Sequence, residues 1–295
     1  MNETNTDASG VYVDPANSEP YVPVPVTIKS MMEAGAHFGH QTERWNPRML
    51  PYIFGVRNNV HIINLDITLK NWDRARKFVA DDSARGGTLL MVGTKNQARD
   101  IVRANAQRSA AFYVTSRWLG GTLTNFQTIK NSIDRMKKLE DLLVQAADEN
   151  SKIKLNKKEK LFISRELEKL EINLGGIRGM KKAPDVIFVV DVIKEEIAVA
   201  EARKLHIPVI ALVDTNTDPN VVSFPIPAND DSTKTIQLLT AGIADAILEG
   251  RSALEAEISK GREASQASEK ENNGHNGKRS SSEDSEGAVP SGEVM

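Results

Sequence analysis

The 295 residues, 40% of them apolar, can bury one sizeable core, and the pattern along the chain reads as one domain with appendages. With no cysteine, disulfides and thiolate metal sites are excluded, and no apolar run approaches the roughly 20 residues that cross a bilayer. The formal charge of −2 is unevenly spread: residues 1–25 hold four acids and no base, residues 251–295 nine acids against six bases, so 26–250 carries +5.

Residues 1–25, acidic and rich in Thr, Asn, Ser and Pro, show no period and read as a disordered extension. They lack the basic and apolar regions of a signal peptide. The domain is expected over 26–250. Thr27 is placed to cap a short helix through Met31, Met32 and Ala34 that ends at Gly35. His37-Phe38-Gly39-His40 follows, then a loop of aromatic and basic residues from Arg44 to Ile53, in which Pro47 and Pro51 exclude a central strand. Val60-His61-Ile62-Ile63-Asn64-Leu65 reads as a buried strand, and Asp66 or Thr68 caps a helix carrying Leu69, Trp72, Arg76 and Val79.

A second unit repeats the pattern. Thr88-Leu89-Leu90-Met91-Val92 is a continuous apolar strand, Gly93-Thr94-Lys95 turns, and 97–107 is helical; a third strand, Phe112-Tyr113-Val114-Thr115, leads to Arg117-Trp118-Leu119-Gly120-Gly121. There the alternation stops. Over 125–176, apolar residues recur every three or four positions, at Phe126, Ile129, Ile133, Met136, Leu139 and Leu143, and again at Ile163, Leu167, Leu170 and Leu174. Narrow apolar seams with charged flanks describe an antiparallel coiled-coil hairpin inserted into the domain, rooted at Gly120-Gly121 and Gly175-Gly176. Residues 117–182 hold fifteen Lys or Arg against nine acids, among them Lys152, Lys154, Lys157 and Lys158 at the polar tip. This distribution fits a polyanion-facing protein, and on composition alone it equally fits a solvated helix pair with extra lysine.

The sheet pattern resumes at Asp185-Val186-Ile187-Phe188-Val189-Val190-Asp191. A helix over 194–205, a strand over 207–214, a proline-interrupted segment over 215–231 with an apolar run at 221–224, and a last helix over 232–249 complete it. Strands alternating with helices of 10 to 15 residues imply an α/β fold with a doubly wound parallel sheet. Residues 251–295, rich in Ser, Glu, Asn and Gly, read as a disordered tail.

In such a sheet the carboxyl ends of the strands collect the ligand-facing loops, here Gly93-Thr94-Lys95, Ser116-Arg117, Asp191 and Asp214-Thr215-Asn216. Gly93-Thr94-Lys95 inverts the phosphate-loop order and lacks its upstream glycine loop, and the dinucleotide fingerprint is missing. His37 and His40, with Glu33 or Glu43, offer zinc donors at a short, non-specific spacing; hydrogen bonds to a loop or a phosphate are the simpler reading. Asp191 and Asp214 could pair for acid–base work, but aspartates at strand ends more often cap the next helix, and no serine, histidine and aspartate set accompanies them. Arg44, Trp45, Arg48, Tyr52, Phe54, Arg57, Asn58 and Asn59 mix cations, rings and amides in a way that suits RNA, where guanidinium groups bind phosphates and rings stack on unpaired bases.

Together, His37-Phe38-Gly39-His40-Gln41-Thr42, Trp45-Asn46-Pro47-Arg48-Met49, His61-Ile62-Ile63-Asn64-Leu65, Val92-Gly93-Thr94-Lys95, Arg117-Trp118-Leu119-Gly120-Gly121, Asp214-Thr215-Asn216 and Ile226-Pro227-Ala228-Asn229-Asp230-Asp231 resemble the bacterial ribosomal protein S2 family. The resemblance runs from about Thr27 to Arg251. It implies a flavodoxin-like domain bearing a coiled-coil hairpin, cytoplasmic and ribosome-bound, that supports translation. It further implies contact with small-subunit ribosomal RNA between head and body and with neighbouring small-subunit proteins including the largest. No catalytic residue, cofactor or metal is implied. Carried over by motif, the RNA-facing residues are Arg44, Arg48, Arg57, Asn58, Lys95 and Arg117, with Lys152, Lys154, Lys157 and Lys158 as looser additions. Two departures lie near the last helix, where Ala228 and Lys234 stand in place of the family's usual Gly and Arg; an alanine there is at odds with a turn requiring positive φ.

Overall fold

A computed structural model describes residues 24–147 and 154–276. Two units result, one ending at Arg251 and one from Ser252 onward, and the first contains both sheets. It opens with α1 (Ile28–Ala34), capped by Thr27 through a capping box and closed by Gly35 at φ 78°.

Three short strands follow. β1 (Phe38–Gln41), β2 (Ile53–Arg57) and β3 (Val60–Ile63) form an antiparallel sheet in the order β1-β3-β2. Between β1 and β2 lie two 3₁₀ turns, Thr42–Arg44 and Pro47–Tyr52, the second capped by the Asn46 side chain, which accepts from the Arg48 amide at 3.0 Å. The two prolines are thus accommodated in a turn outside the sheets. β3 corrects the expectation that this run joins the parallel sheet: it pairs antiparallel with both neighbours. The reason is the turn before it. Asn58 and Asn59 both have positive φ, 52° and 60°, the backbone of a two-residue hairpin that matches strand twist.

α2 (Leu65–Ala84) begins at Asn64, whose side chain accepts from the Asp66 amide, rather than at Asp66 or Thr68. The parallel sheet is built from β4 (Leu89–Val92), β5 (Phe112–Val114), β6 (Val186–Val190), β7 (Val209–Val213) and β8 (Phe224–Pro227) in the order β5-β4-β6-β7-β8. That is the 2-1-3-4-5 order of flavodoxin-like folds. Every residue of β4, β6 and β7 is buried, as strands covered on both faces must be. β8 carries Pro225 and Pro227 and lies at an edge, where missing amide donors cost no ladder bond. α3 (Arg99–Arg108), α6 (Glu196–Lys204) and α7 (Thr233–Asn276) complete the crossovers and the final helix.

The alternation of β6 separates two cores. Val186, Phe188 and Val190 face Trp72 and Val79 of α2, Val102 of α3 and Ile243 of α7. Ile187 and Val189 face Val199 of α6, Trp118, the first turns of one inserted helix, at Ile129 and Ile133, and the last turn of the other, at Leu170 and Leu174. Those helices are α4 (Phe126–Ala147) and α5 (Lys157–Leu174), which run antiparallel: Arg135 pairs with Glu166 at 2.5 Å, and Lys160 Nζ donates to the Ala146 carbonyl at 3.2 Å. Only one glycine of each root pair is sterically required. Gly121 has φ 88°, and a Cβ on Gly176 would lie 2.1 Å from the Tyr113 carbonyl. Residues 1–23, 148–153 and 277–295 lie outside the described residues, and so therefore do most of the expected extension, Lys152 and the end of the expected tail.

Candidate nucleic-acid interface

The strand ends converge as the sheet topology demands, and the crevice between β4 and β6 is filled by the protein's own charges. Lys95, from the turn after β4, reaches Asp230 at 2.7 Å, Asp231 at 2.6 Å and Asp191 at 3.3 Å. Burial alone would favour the neutral amine, but Asp230, Asp231 and Asp191 reverse this and hold the ammonium protonated well above the usual lysine range. Asp230 is pushed the other way. Burial first, then the neighbouring Asp191 and Asp214 carboxylates, raise its carboxyl from 3.8 to about 7 against the pull of Lys95.

His40 extends the network. Its Nδ1 lies 3.1 Å from Asp214, its Nε2 3.3 Å from the Asn216 amide and 3.7 Å from Asp231. The Asp214 hydrogen bond raises its pKa despite partial burial. Asp191, at φ 67°, also accepts from the Lys194 amide at 3.0 Å, so it caps the turn into α6 as strand-end aspartates do. Asp191 and Asp214 therefore serve Lys95 and His40. Among the described residues no group of three or more histidine or acidic side chains is arranged to hold a metal ion.

A second network, illegible in the sequence, anchors the helix pair. Glu201 of α6 accepts from the Trp118 indole at 3.1 Å and from the amides of Gly121, Leu123 and Thr124 at 2.7, 2.9 and 3.0 Å, with the Thr124 hydroxyl at 3.1 Å. Burial would raise its pKa; the amides of Thr124, Gly121 and Leu123 and the indole outweigh burial and hold it below the ordinary range. Glu195 is similarly enclosed, its carboxylate accepting from the Thr94 amide and hydroxyl. The one sequence signal for Glu201 is its position on the buried face of α6, beside Ala198 and Ala202. At the other root, Arg178 grips Glu140 of α4 with both terminal nitrogens.

The remaining predicted residues lie on the outside. Arg44, Arg48, Arg57 and Asn58 are exposed on the loops and turn of the small sheet, Arg117 is exposed at the junction, and Lys154, Lys157 and Lys158 are exposed at the start of α5. Arg48 forms an ion pair with Asp218; among the described residues Arg44, Arg57 and Arg117 are in none. Trp45 is half-buried, its ring 5.0 Å from that of His61. Lys95 differs from the rest, being mostly buried and committed to carboxylates.

A flavodoxin-order sheet with its crevice closed by internal ion pairs, and with cations displayed on neighbouring loops, is a scaffold for presenting a surface. Residues 31–250 match the family model for ribosomal protein S2. The chain is 50% identical over 244 residues to the small ribosomal subunit protein uS2 of Maridesulfovibrio salexigens, covering 81% of this chain and 93% of that one. It is 52% identical over 225 residues to that of Geotalea uraniireducens, covering 76% and 86%, and 55% identical over 224 residues to that of a Chelativorans species, covering 76% and 82%. The chain belongs to the ribosomal protein S2 family, a family of structural components rather than enzymes. Among the described residues no helix is long and apolar enough to cross a membrane.

Ala228, at the position of a usual family glycine, needs no unusual backbone: its φ is not positive, and its amide donates to the Val213 carbonyl at 3.1 Å.

Proposed function

We propose that the protein is a ribosome-bound structural constituent of the small ribosomal subunit that binds its ribosomal RNA between head and body and so supports translation. The observation that carries this reading is that Arg44, Arg57 and Arg117, at positions matching the family's motifs, are exposed and in no ion pair among the described residues, within a stretch of chain, 26–250, that carries +5. A cation left unpaired on such a surface is available to a phosphate. Asn58 adds an amide donor beside Arg57, Arg48 joins by exchanging Asp218 for a phosphate, and Lys95 acts indirectly by holding the strand-end loops in place. Lys154, Lys157 and Lys158, with Lys152 beyond the described residues, extend the basic surface along the inserted helices.

The inserted pair is read as a coiled coil, supported by the burial of Ile129, Ile133 and Met136 on α4 and Leu174 on α5. Its outer part favours a protein partner as well. Val144 is 69% exposed, Leu161 54% and Phe162 69%, more apolar surface than a solvated hairpin needs. Neighbouring small-subunit proteins, including the largest, fit that surface; cross-links from Lys157 and Lys158 should then be shared between protein and RNA. Binding of small-subunit RNA to the purified protein should weaken steeply as salt rises, because counterions are released from each neutralised phosphate. An affinity indifferent to salt would contradict the reading.

A further inference from the structure

Among the described residues no large apolar side chain is more exposed than Phe54, at 78%. It projects from β2, which pairs on one side only, with β3. Pairing with β3 shifts register between Ile53 and Gly55, which makes Phe54 the extra residue of a bulge: Ile53 packs against the core while Phe54 stands in water, with Val56, 56% exposed, and Leu50, 63% exposed, near it along the chain. Phe54 belongs to a stretch, residues 44–60, that has three arginines and no acid. Arg57 follows it by about 10 Å of strand at ~3.3 Å per residue, and Asn58 begins the turn beyond.

Resting on the RNA-binding reading above, we propose that this face takes one unpaired nucleotide, its base stacked on Phe54 and its phosphate held by Arg57 and Asn58. A ring left in water, in a stretch of chain with three arginines and no acid, matches a ligand that is flat, apolar on its faces and negatively charged at its edge. An unpaired nucleotide combines all three properties. A continuous RNA duplex does not, because its base faces are already stacked, so its phosphates would engage the arginines and leave Phe54 wet. An acidic protein would meet the arginines equally well, but nothing in its charge calls for a flat exposed ring. The site thus separates affinity, which the arginines supply, from a preference for unpaired RNA, which Phe54 supplies.

The test uses the full chain as wild type, Phe54→Ala and Phe54→Trp, with a labelled single-stranded RNA 12-mer, the same sequence as a duplex, and a 12-mer bearing abasic positions. Phe54→Ala should weaken single-strand binding by roughly tenfold and leave duplex and abasic binding unchanged. Phe54→Trp should restore single-strand binding, and its fluorescence should be quenched by the single strand and not by the abasic strand. All three proteins should melt together, since Phe54 is exposed. Unchanged single-strand affinity in Phe54→Ala, with salt-dependent RNA binding intact, overturns the stacking site and leaves the general reading standing. Photo-cross-links from position 54 that go to protein in assembled subunits overturn it too. Failure of the wild type to bind any of these RNAs would remove the general reading itself.

Discussion

Replacing Glu201 by alanine would leave five donors around a buried hole, among them three backbone amides of the junction that launches α4. Stranding donors that had a charged acceptor costs on the order of 3 kcal/mol, here a fall in melting temperature of roughly 10 °C. Thermal melting of Glu201→Ala against wild type checks this, and Glu201→Gln should lose less because an amide oxygen still accepts. Asp230 and His40 set the pH dependence. Each binds a proton more tightly in the folded chain than when unfolded, so each contributes stability that is complete at low pH and lost as pH rises through its folded value, about 7 for Asp230. The melting temperature should therefore fall from about pH 4 to pH 7 through Asp230, with His40 adding a decline above about 6.5, and Asp230→Asn should flatten the lower part of that slope. These residues were hidden in the sequence for a common reason: a carboxylate on a helix or after a strand reads as solvated until its neighbours in space are known. Lys95 was legible as a strand-end residue, but its three acidic partners come from β6 and the loop after β8, up to 136 positions away.

Among the elements, those with a continuous or strictly periodic apolar pattern were legible. β4, β6 and β7 were read from unbroken runs, and α4 and α5 from a three-to-four-residue repeat, because both patterns follow from burial alone. β3 was placed in the wrong sheet, since its apolar run looks like a parallel strand and only the Asn58-Asn59 turn reveals a hairpin. β8 was read only as a short apolar run ahead of it, because two prolines disguise an edge strand that tolerates them. The close contact at the root of α5 makes a sharp prediction: Gly176→Ala, driving a methyl into the Tyr113 carbonyl, should destabilise by about 3 kcal/mol, read as a lowered denaturation midpoint. Gly120→Ala, with open space around its Cβ and no positive φ, should cost under 1 kcal/mol.

For the molecule as a whole, the net charge of −2 conceals a basic middle between two acidic ends, and the exposed cations belong to that middle. The same sheet order that in other proteins opens a ligand crevice is here closed by Lys95 and its carboxylates, so the proposed RNA contacts fall on the outer loops and the inserted helices. RNA should therefore be held by many moderate contacts, and Arg44→Ala combined with Arg57→Ala should lower the salt slope of binding by about two phosphates' worth without shifting the melting temperature by more than a degree or two. Sedimentation of a cell lysate through a gradient, with the protein followed by immunoblot, tests the account most directly. The protein should travel with small subunits and move to the top of the gradient after the RNA is digested; a protein found at the top in untreated lysate from growing cells would contradict it.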